Sequence, residues 1–145
     1  QLEDLANKVD FFSVGSNDLT QYLLAVDRNN SRVANLYDFY HPAVLRSLYY
    51  IAQKSQGQNM PISICGELAN EPTGALLLIA MGYKNLSMSA HSLAKVKWVI
   101  RHVEHGQLKQ ILDHVLTLTH TSDVHSFMHE QLVQLGLGDF VHARL

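Results

Sequence analysis

Residues 9–28 read VDFFSVGSNDLTQYLLAVDR and residues 61–72 read PISICGELANEP. Each stretch begins as a short apolar, β-branched or aromatic run and then breaks into small and polar residues. In the first, Val9, Phe11, Phe12 and Val14 lead into Gly15-Ser16-Asn17-Asp18; in the second, Ile62 and Ile64 lead into Cys65-Gly66-Glu67. Runs of this composition and length predict buried strands. Reactive side chains set just past the end of a buried strand mark the active face of a βα-barrel or the crevice of an open α/β sheet. The expected fold class is therefore α/β, and the chain reads as a piece of an enzyme of that kind.

Working outward, Leu2, Leu5 and Val9 show helical spacing, so residues 2–8 read as the end of a helix, with a strand over 9–14. A short helix over 19–26 comes next, for which Asn17 or Asp18 is the candidate cap. Residues 28–40, rich in Asn and Ser, read as a loop. Pro42 is a favoured first helical residue. The helix it opens carries Val44, Leu45, Leu48, Ile51 and Ala52 on one face and ends at Gly57. The pattern then repeats: a strand over 61–65, a helix from Pro72 to Met81, and Gly82 in the usual position just past a helix end. A third strand is predicted over 85–89 and a helix over 92–103. Three strand-then-helix units in a row imply parallel strands with helical crossovers. Beyond them, Leu108, Ile111, Leu112, Val115 and Leu116 make one amphipathic stripe. A second runs from Asp123 to Leu135, with Ser122 as its candidate cap. These two helices are expected to pack on the outside of the α/β part or against a partner chain.

Composition narrows the function. Of 145 residues, 47% are apolar and 17% charged, and the formal net charge is −2. That excludes a disordered tail and, with no basic patch, argues against nucleic-acid binding. Anionic substrates stay open, because a local cluster can hold one whatever the net charge. Cys65 is the single cysteine, so no internal disulfide can form, and no Cys/His zinc pattern surrounds it. One cysteine in a helix-rich α/β chain fits a reducing, cytoplasmic location. The longest apolar run, 75–81, is too short to cross a bilayer, and no membrane association is expected. The chain opens on Gln1 inside a helical pattern, which reads as a fragment or a processed chain.

Asn17 and Asp18 offer an amide and a carboxylate side by side after a strand. Hard cations such as Mg²⁺ take oxygen ligands, typically one or two carboxylates completed by water and substrate phosphate. Asp18 can equally serve only as a helix cap. Arg28 is a permanent cation suited to bidentate phosphate or carboxylate binding, or it is a solvated loop residue; Arg32 is a weaker candidate of the same kind. Cys65 can act as nucleophile, metal ligand or proton donor, or sit inert in the core. Gly66 permits close backbone approach, and Glu67 can orient the loop. His125 and His129 lie four apart on a predicted helix, but HSFMH lacks the glutamate of a zinc-protease helix, and they read as exposed helix residues. Tyr37, Phe39, Tyr40, Tyr49 and Tyr50 read as core and loop packing.

The stretch DFFSVGSNDLTQYLLAVDR, with CGELANEP downstream and NLSMSA after it, resembles the C-terminal part of Enzyme I of the phosphoenolpyruvate phosphotransferase system, the phosphoenolpyruvate-protein phosphotransferase family. The likeness runs over residues 5–101. It implies the last βα units of a (βα)₈ barrel that binds phosphoenolpyruvate, plus C-terminal helices, with residues 1–103 in the barrel part and 104–145 as helices packed on the same domain. Residues 28–38, RNNSRVANLYD, look most like the nitrogen-related paralogue, which serves a nitrogen-branch phosphocarrier in place of the sugar-branch carrier. By the same resemblance, Asp18 matches an Mg²⁺-binding aspartate, Asn17 a phosphate-contacting asparagine, Arg28 a phosphate-binding arginine, and Cys65 the proton donor to the pyruvate enolate. Ser16 stands where many members have Thr. Asn70-Glu71 replaces a common Gly-Asp, with Asn the usual non-Gly residue able to adopt a left-handed backbone.

The implied reaction moves the phosphoryl group of phosphoenolpyruvate to an enzyme histidine and then to a histidine phosphocarrier protein, releasing pyruvate, with Mg²⁺ as cofactor and a homodimeric parent. The phospho-accepting histidine motif, the barrel's earlier strands and the other Mg²⁺-binding acid are absent from this sequence. The 145 residues alone are therefore expected to lack transferase activity. The nearest alternative is a piece of a pyruvate phosphate dikinase or phosphoenolpyruvate synthase. A non-catalytic dimerisation or binding module is the alternative of a different class, since three strands cannot close a barrel and leave an edge to be covered.

Overall fold

The computed structural model describes residues 1–138; residues 139–145 of the predicted C-terminal helical segment lie outside them. The order is α1 (Leu2–Ala6), β1 (Phe12–Gly15), α2 (Ser16–Leu24), a 3₁₀ turn (Ala34–Leu36), α3 (Pro42–Gly57), β2 (Ile62–Cys65), α4 (Glu67–Asn70), α5 (Pro72–Met81), β3 (Asn85–Ser87), α6 (Ala90–Ile100), α7 (His105–Val115) and α8 (Thr121–Gln134). The three strands form one parallel sheet in the order β1-β2-β3. The predicted βα rhythm is what the chain adopts.

Side chains alternate across a strand, and here the alternation separates two chemistries. Phe12, Val14, Ile62, Ile64 and Leu86 pack into the core. In register on the opposite face stand Ser13, Ser63 and Asn85, then Gly15, Cys65 and Ser87. That second face is small and polar, and its members are exposed or half-buried.

Helices cover the apolar face. α3 buries Val44, Leu45, Leu48 and Ala52. α5 is apolar all round, and such a helix must be surrounded: it packs against α3, α4, α6 and α7. Ile111, Leu112 and Val115 of α7, with Val124 and Met128 of α8, join the core beneath the sheet. Leu108 and Leu132 close a second cluster with Leu76 of α5 and Val99 of α6. Each such fully buried side chain stabilises by about 1.5–3 kcal/mol, so α7 and α8 are fixed to the α/β part by packing. Two polar links add to it: Arg46 of α3 donates to the carbonyls of Leu116 and Leu118 at 3.1 and 2.8 Å, and His125 Nε2 meets Asp38 Oδ2 at 2.7 Å.

Several local expectations are corrected. α2 starts at Ser16 with Gly15 at its N-cap, so Asn17 and Asp18 lie inside the first turn, and neither caps. The Asn17 amide oxygen is taken instead by a backbone N–H from the second loop. Ser122 does not cap α8; His120 holds that position, and the Ser122 hydroxyl turns to the Asp123 carboxylate. α6 begins at Ala90, two residues early, because Ser89 accepts the cap bond from the Ser92 N–H. α4 is a single turn, too short for periodicity to reveal. Asn70 ends that turn and is not left-handed; among the described residues only Ala25 and Asn59 are non-Gly residues with positive φ. Its amide bridges elements, donating to the Gly66 carbonyl and accepting from the Ser89 N–H at 3.1 and 2.8 Å.

Candidate active site

Parallel register brings the carboxyl ends of the strands level, with Gly15, Cys65 and Ser87 side by side. The loops leaving the strands therefore meet at one end of the sheet. The β1 loop and the β2 loop interlock there by short bonds. The Ser16 hydroxyl, fully buried, donates to the Cys65 carbonyl at 3.0 Å. The Glu67 N–H donates to Asn17 Oδ1 at 3.0 Å. Gly66 sits between them at φ +119° and ψ −176°, a region that is essentially glycine-only. A Cβ there would overlap Ser16 Oγ and come within 2.9 Å of Asn17 Oδ1. Glycine is required on both counts.

Each residue singled out from the sequence has a definite place in this arrangement. Asn17 accepts through its oxygen, so its NH₂ faces away from that bond and keeps two N–H donors. Asp18 lies in the first turn of α2, exposed, with Oδ2 3.8 Å from where a Gly15 side chain would begin. Its carboxylate thus returns over the polar face, one strand over from Cys65, strands lying about 5 Å apart. Cys65 is a free, half-buried thiol. Its neighbours in register, Gly15 and Ser87, are small, which leaves it open on the polar face. Arg28 reaches across from the loop after α2 and donates through Nη1 to Glu67 Oε1 at 3.0 Å, a contact that does not use all five of its N–H groups. Arg32 makes a backbone turn bond to Asn30 and is not drawn into the cluster.

Sequence reading misses two participants. Glu71 accepts from the Tyr40 hydroxyl at 2.9 Å, tying the 28–40 loop to the start of α5. Tyr37 is the other. Its hydroxyl is buried and completes no hydrogen bond, yet Glu67, Arg28 and Asp18 all lie within electrostatic reach. Burial and then the Glu67 charge hold its pKa above the ordinary tyrosine value, against the opposing pull of Arg28. The aromatic run reads as packing, and packing is what Phe39 and Tyr40 do; no spacing rule separates Tyr37 from them. His125, paired with Asp38, stacks edge-on to Tyr40.

The donor set can be compared with what Mg²⁺ needs. No cluster of three His, Cys, Asp or Glu exists among the described residues. Beside Gly15 and Cys65 the β1 loop presents the exposed Asp18 carboxylate, while the exposed Glu67 carboxylate is engaged by Arg28. Mg²⁺ keeps several waters and is commonly held by one or two carboxylates plus substrate phosphate. Asp18 fits an ion shared with an anionic substrate and does not make a protein-only cage.

Comparison with known proteins shows the family. Residues 1–105 match the model of the PEP-utilising enzyme, PEP-binding domain. The chain is 41% identical over 144 residues, 99% of its length and 19% of the relative's, to the phosphoenolpyruvate-dependent phosphotransferase system protein of Salmonella typhimurium. It is 40% identical over the same shares to the protein of that name from Escherichia coli. It is 42% identical over 112 residues, 77% of the chain and 20% of the relative, to a phosphoenolpyruvate-protein phosphotransferase of Borreliella burgdorferi. The chain spans about a fifth of the length of the curated relatives it matches. No helix among the described residues is long and apolar enough to cross a membrane.

Proposed function

Since the chain belongs to the PEP-utilising enzymes through their PEP-binding domain, we propose that it forms part of a phosphoenolpyruvate-protein phosphotransferase. In this reading the enzyme takes the phosphoryl group of phosphoenolpyruvate onto a histidine outside this sequence, passes it to a histidine phosphocarrier protein, and releases pyruvate. The observation that carries the reading is the level register of Gly15 and Cys65. It gathers Asn17, Asp18, Arg28 and Cys65 at one end of the sheet. The sequence of the 28–38 loop favours the nitrogen-branch carrier as acceptor, a homodimeric parent and a cytoplasmic location complete the proposal, and the relatives' printed names support the reaction class.

The roles are those the family resemblance implies, and the chemistry of each residue supports them. Asn17 points its NH₂ donors at a phosphate oxygen, held by the bond its oxygen makes to the Glu67 N–H. Arg28 offers the N–H groups not used on Glu67 to a second phosphate oxygen. Asp18 would hold Mg²⁺, which when bound supplies positive charge against the transferring phosphoryl group. Loss of the phosphoryl group leaves the enolate of pyruvate, whose methylene carbon needs a proton. The Cys65 S–H gives that proton, the C–H bond forming as the S–H bond breaks, and the thiolate is reprotonated from solvent across the open face.

The test uses the full-length enzyme that carries this chain, with Mg²⁺, phosphoenolpyruvate and a phosphocarrier. Wild type is expected to release pyruvate and label the carrier. Cys65→Ala is expected to slow turnover by roughly 100-fold or more, the worth of a general acid, while phosphoenolpyruvate affinity stays within a few-fold. Normal turnover in that variant would remove Cys65 from the chemistry. A strict requirement for a nucleotide would move the enzyme to the dikinase or synthase class.

A further inference from the structure

The loop that carries Arg28 has little packing to hold it. No residue from 27 to 38 is buried as a whole, whereas Val26 before it and Phe39 after it are. A segment with few buried apolar contacts is fixed mainly by its polar anchors. At its start, the Arg28 N–H donates to Gln21 Oε1 and the guanidinium to Glu67 Oε1, both at 3.0 Å. At its end, the two oxygens of Asp38 are taken separately. Oδ1 accepts from the Tyr40 N–H at 2.8 Å, and Oδ2 meets Nε2 of His125 at 2.7 Å. The second contact comes from α8, 87 residues along the chain and beyond residues 1–105 that match the PEP-binding domain. The His125 ring also lies edge-on to Tyr40, with centroids 4.9 Å apart. Val124, Met128 and Leu132 already bury α8 against the rest of the molecule, so the helix does not depend on this contact for its own place.

Two routes lead from His125 to Arg28. One is the loop itself, of which Asp38 is the far anchor. The other runs through Tyr40, whose hydroxyl donates to Glu71 Oε2 at 2.9 Å. Glu71 follows directly on the single turn α4, and α4 opens on Glu67, the partner of Arg28. We infer that His125 is a positioning residue of the substrate site: its N–H holds the Asp38 carboxylate, so that the loop and α4 together present the Arg28 guanidinium to phosphate. The inference rests on the proposal that Arg28 binds phosphate. Neutral imidazole with its proton on Nε2 is a donor, and so is imidazolium, so the contact does not require a charged histidine. α8 then acts as a strut that sets substrate affinity from outside the sheet, without touching substrate.

Steady-state kinetics of the full-length enzyme test this, with phosphoenolpyruvate varied at saturating Mg²⁺ and phosphocarrier. The forms compared are wild type, His125→Ala, His125→Gln, Arg28→Ala and the double variant of Arg28→Ala with His125→Ala. His125→Ala should raise KM for phosphoenolpyruvate about three- to tenfold, the worth of one hydrogen bond. Its kcat should stay within about twofold, because a bound phosphate itself holds Arg28 in place. His125→Gln, which keeps an N–H donor, should return KM to within about twofold of wild type. On the Arg28→Ala background, His125→Ala should change KM by less than about twofold, since both routes end at the missing guanidinium. A lowered melting point with unchanged KM makes His125 merely structural and overturns the inference. So does an equal rise in KM on both backgrounds, or a His125→Gln enzyme as impaired as His125→Ala. Arg28→Ala separates the two levels: if its kinetics match wild type, the phosphate role of Arg28 and this inference fall together. If Arg28→Ala is impaired while His125→Ala is not, only this inference falls.

Discussion

Replacing Gly66 by alanine should damage fold and site together, and the magnitude can be worked from three parts. The backbone at φ +119° and ψ −176° strains any residue with a Cβ by about 1–3 kcal/mol. The new methyl overlaps Ser16 Oγ, and Ser16 has no exposed route away. Its hydroxyl bond to the Cys65 carbonyl is therefore lost, a further ~1 kcal/mol. Asn17 must also move, since its Oδ1 would stand 2.9 Å from the methyl, leaving the Glu67 N–H without its acceptor at about 1 kcal/mol more. The three effects share atoms and fall short of a simple sum, so a loss of about 2–4 kcal/mol is expected. Against a typical total of about 5–15 kcal/mol that is severe, and it corresponds to a melting point lower by roughly 10 °C.

Urea melts followed by far-ultraviolet circular dichroism measure this directly, with Gly57→Ala as the counterpart. Gly57 closes α3 with nothing within 4 Å of an added methyl and no left-handed φ. Alanine there should raise stability by about 0.4–1 kcal/mol through the unfolded chain's lost freedom. A Gly66→Ala protein within about 1 kcal/mol of wild type would refute the reasoning, as would equal losses at the two glycines.

Two further outcomes concern the core and the tail. Tyr83 is buried, its hydroxyl donates to the Leu48 carbonyl at 3.0 Å, and burial pushes its phenol above the ordinary range. Tyr83→Phe should therefore lose about 1 kcal/mol. Because the folded state holds this proton more tightly than the unfolded chain, the stabilisation is full below the ordinary tyrosine pKa of about 10 and fades as pH rises above it. Wild type should weaken between neutral and strongly alkaline pH more steeply than Tyr83→Phe, and identical slopes would count against it. Arg46→Ala removes both bonds to the α7 C-terminal carbonyls. It should cost about 0.5–1 kcal/mol at this exposed position and speed amide exchange over residues 116–120; unchanged exchange there would mean packing alone holds the tail.

Much of this is legible in the sequence because the decisive signals are local. Strand runs, Pro42 and Pro72 at helix starts, and Gly82 at a helix end each act within a few residues, and the structure keeps them. Capping is what fails. Asn17, Asp18 and Ser122 are residue types that cap helices, but a partner distant in sequence can outcompete a local bond, as the Glu67 N–H does at a separation of 50 residues. Asn70 departs from expectation for the same reason: its amide serves the Gly66 carbonyl and the Ser89 N–H, roles set by where α6 begins. The Arg28–Glu67 pair and the orphan Tyr37 hydroxyl are likewise products of the fold. A sequence can nominate Arg28 as a cation, but only the register of β1 with β2 brings Glu67 to it.

That register also explains why the two loops cannot act separately. Ser16 holds the Cys65 carbonyl, Asn17 holds the Glu67 N–H, and Glu67 holds Arg28. Three bonds in succession thus link the residue proposed to donate a proton with the residue proposed to bind phosphate. A change at any one of them should appear at both ends, in thiol placement and in anion affinity. The polar face gives this linkage its purpose. Ser13, Ser63 and Asn85, with Gly15, Cys65 and Ser87, make one face of the sheet small and polar. Small side chains on either side of Cys65 leave room at its thiol, which the proposed proton-donor role requires.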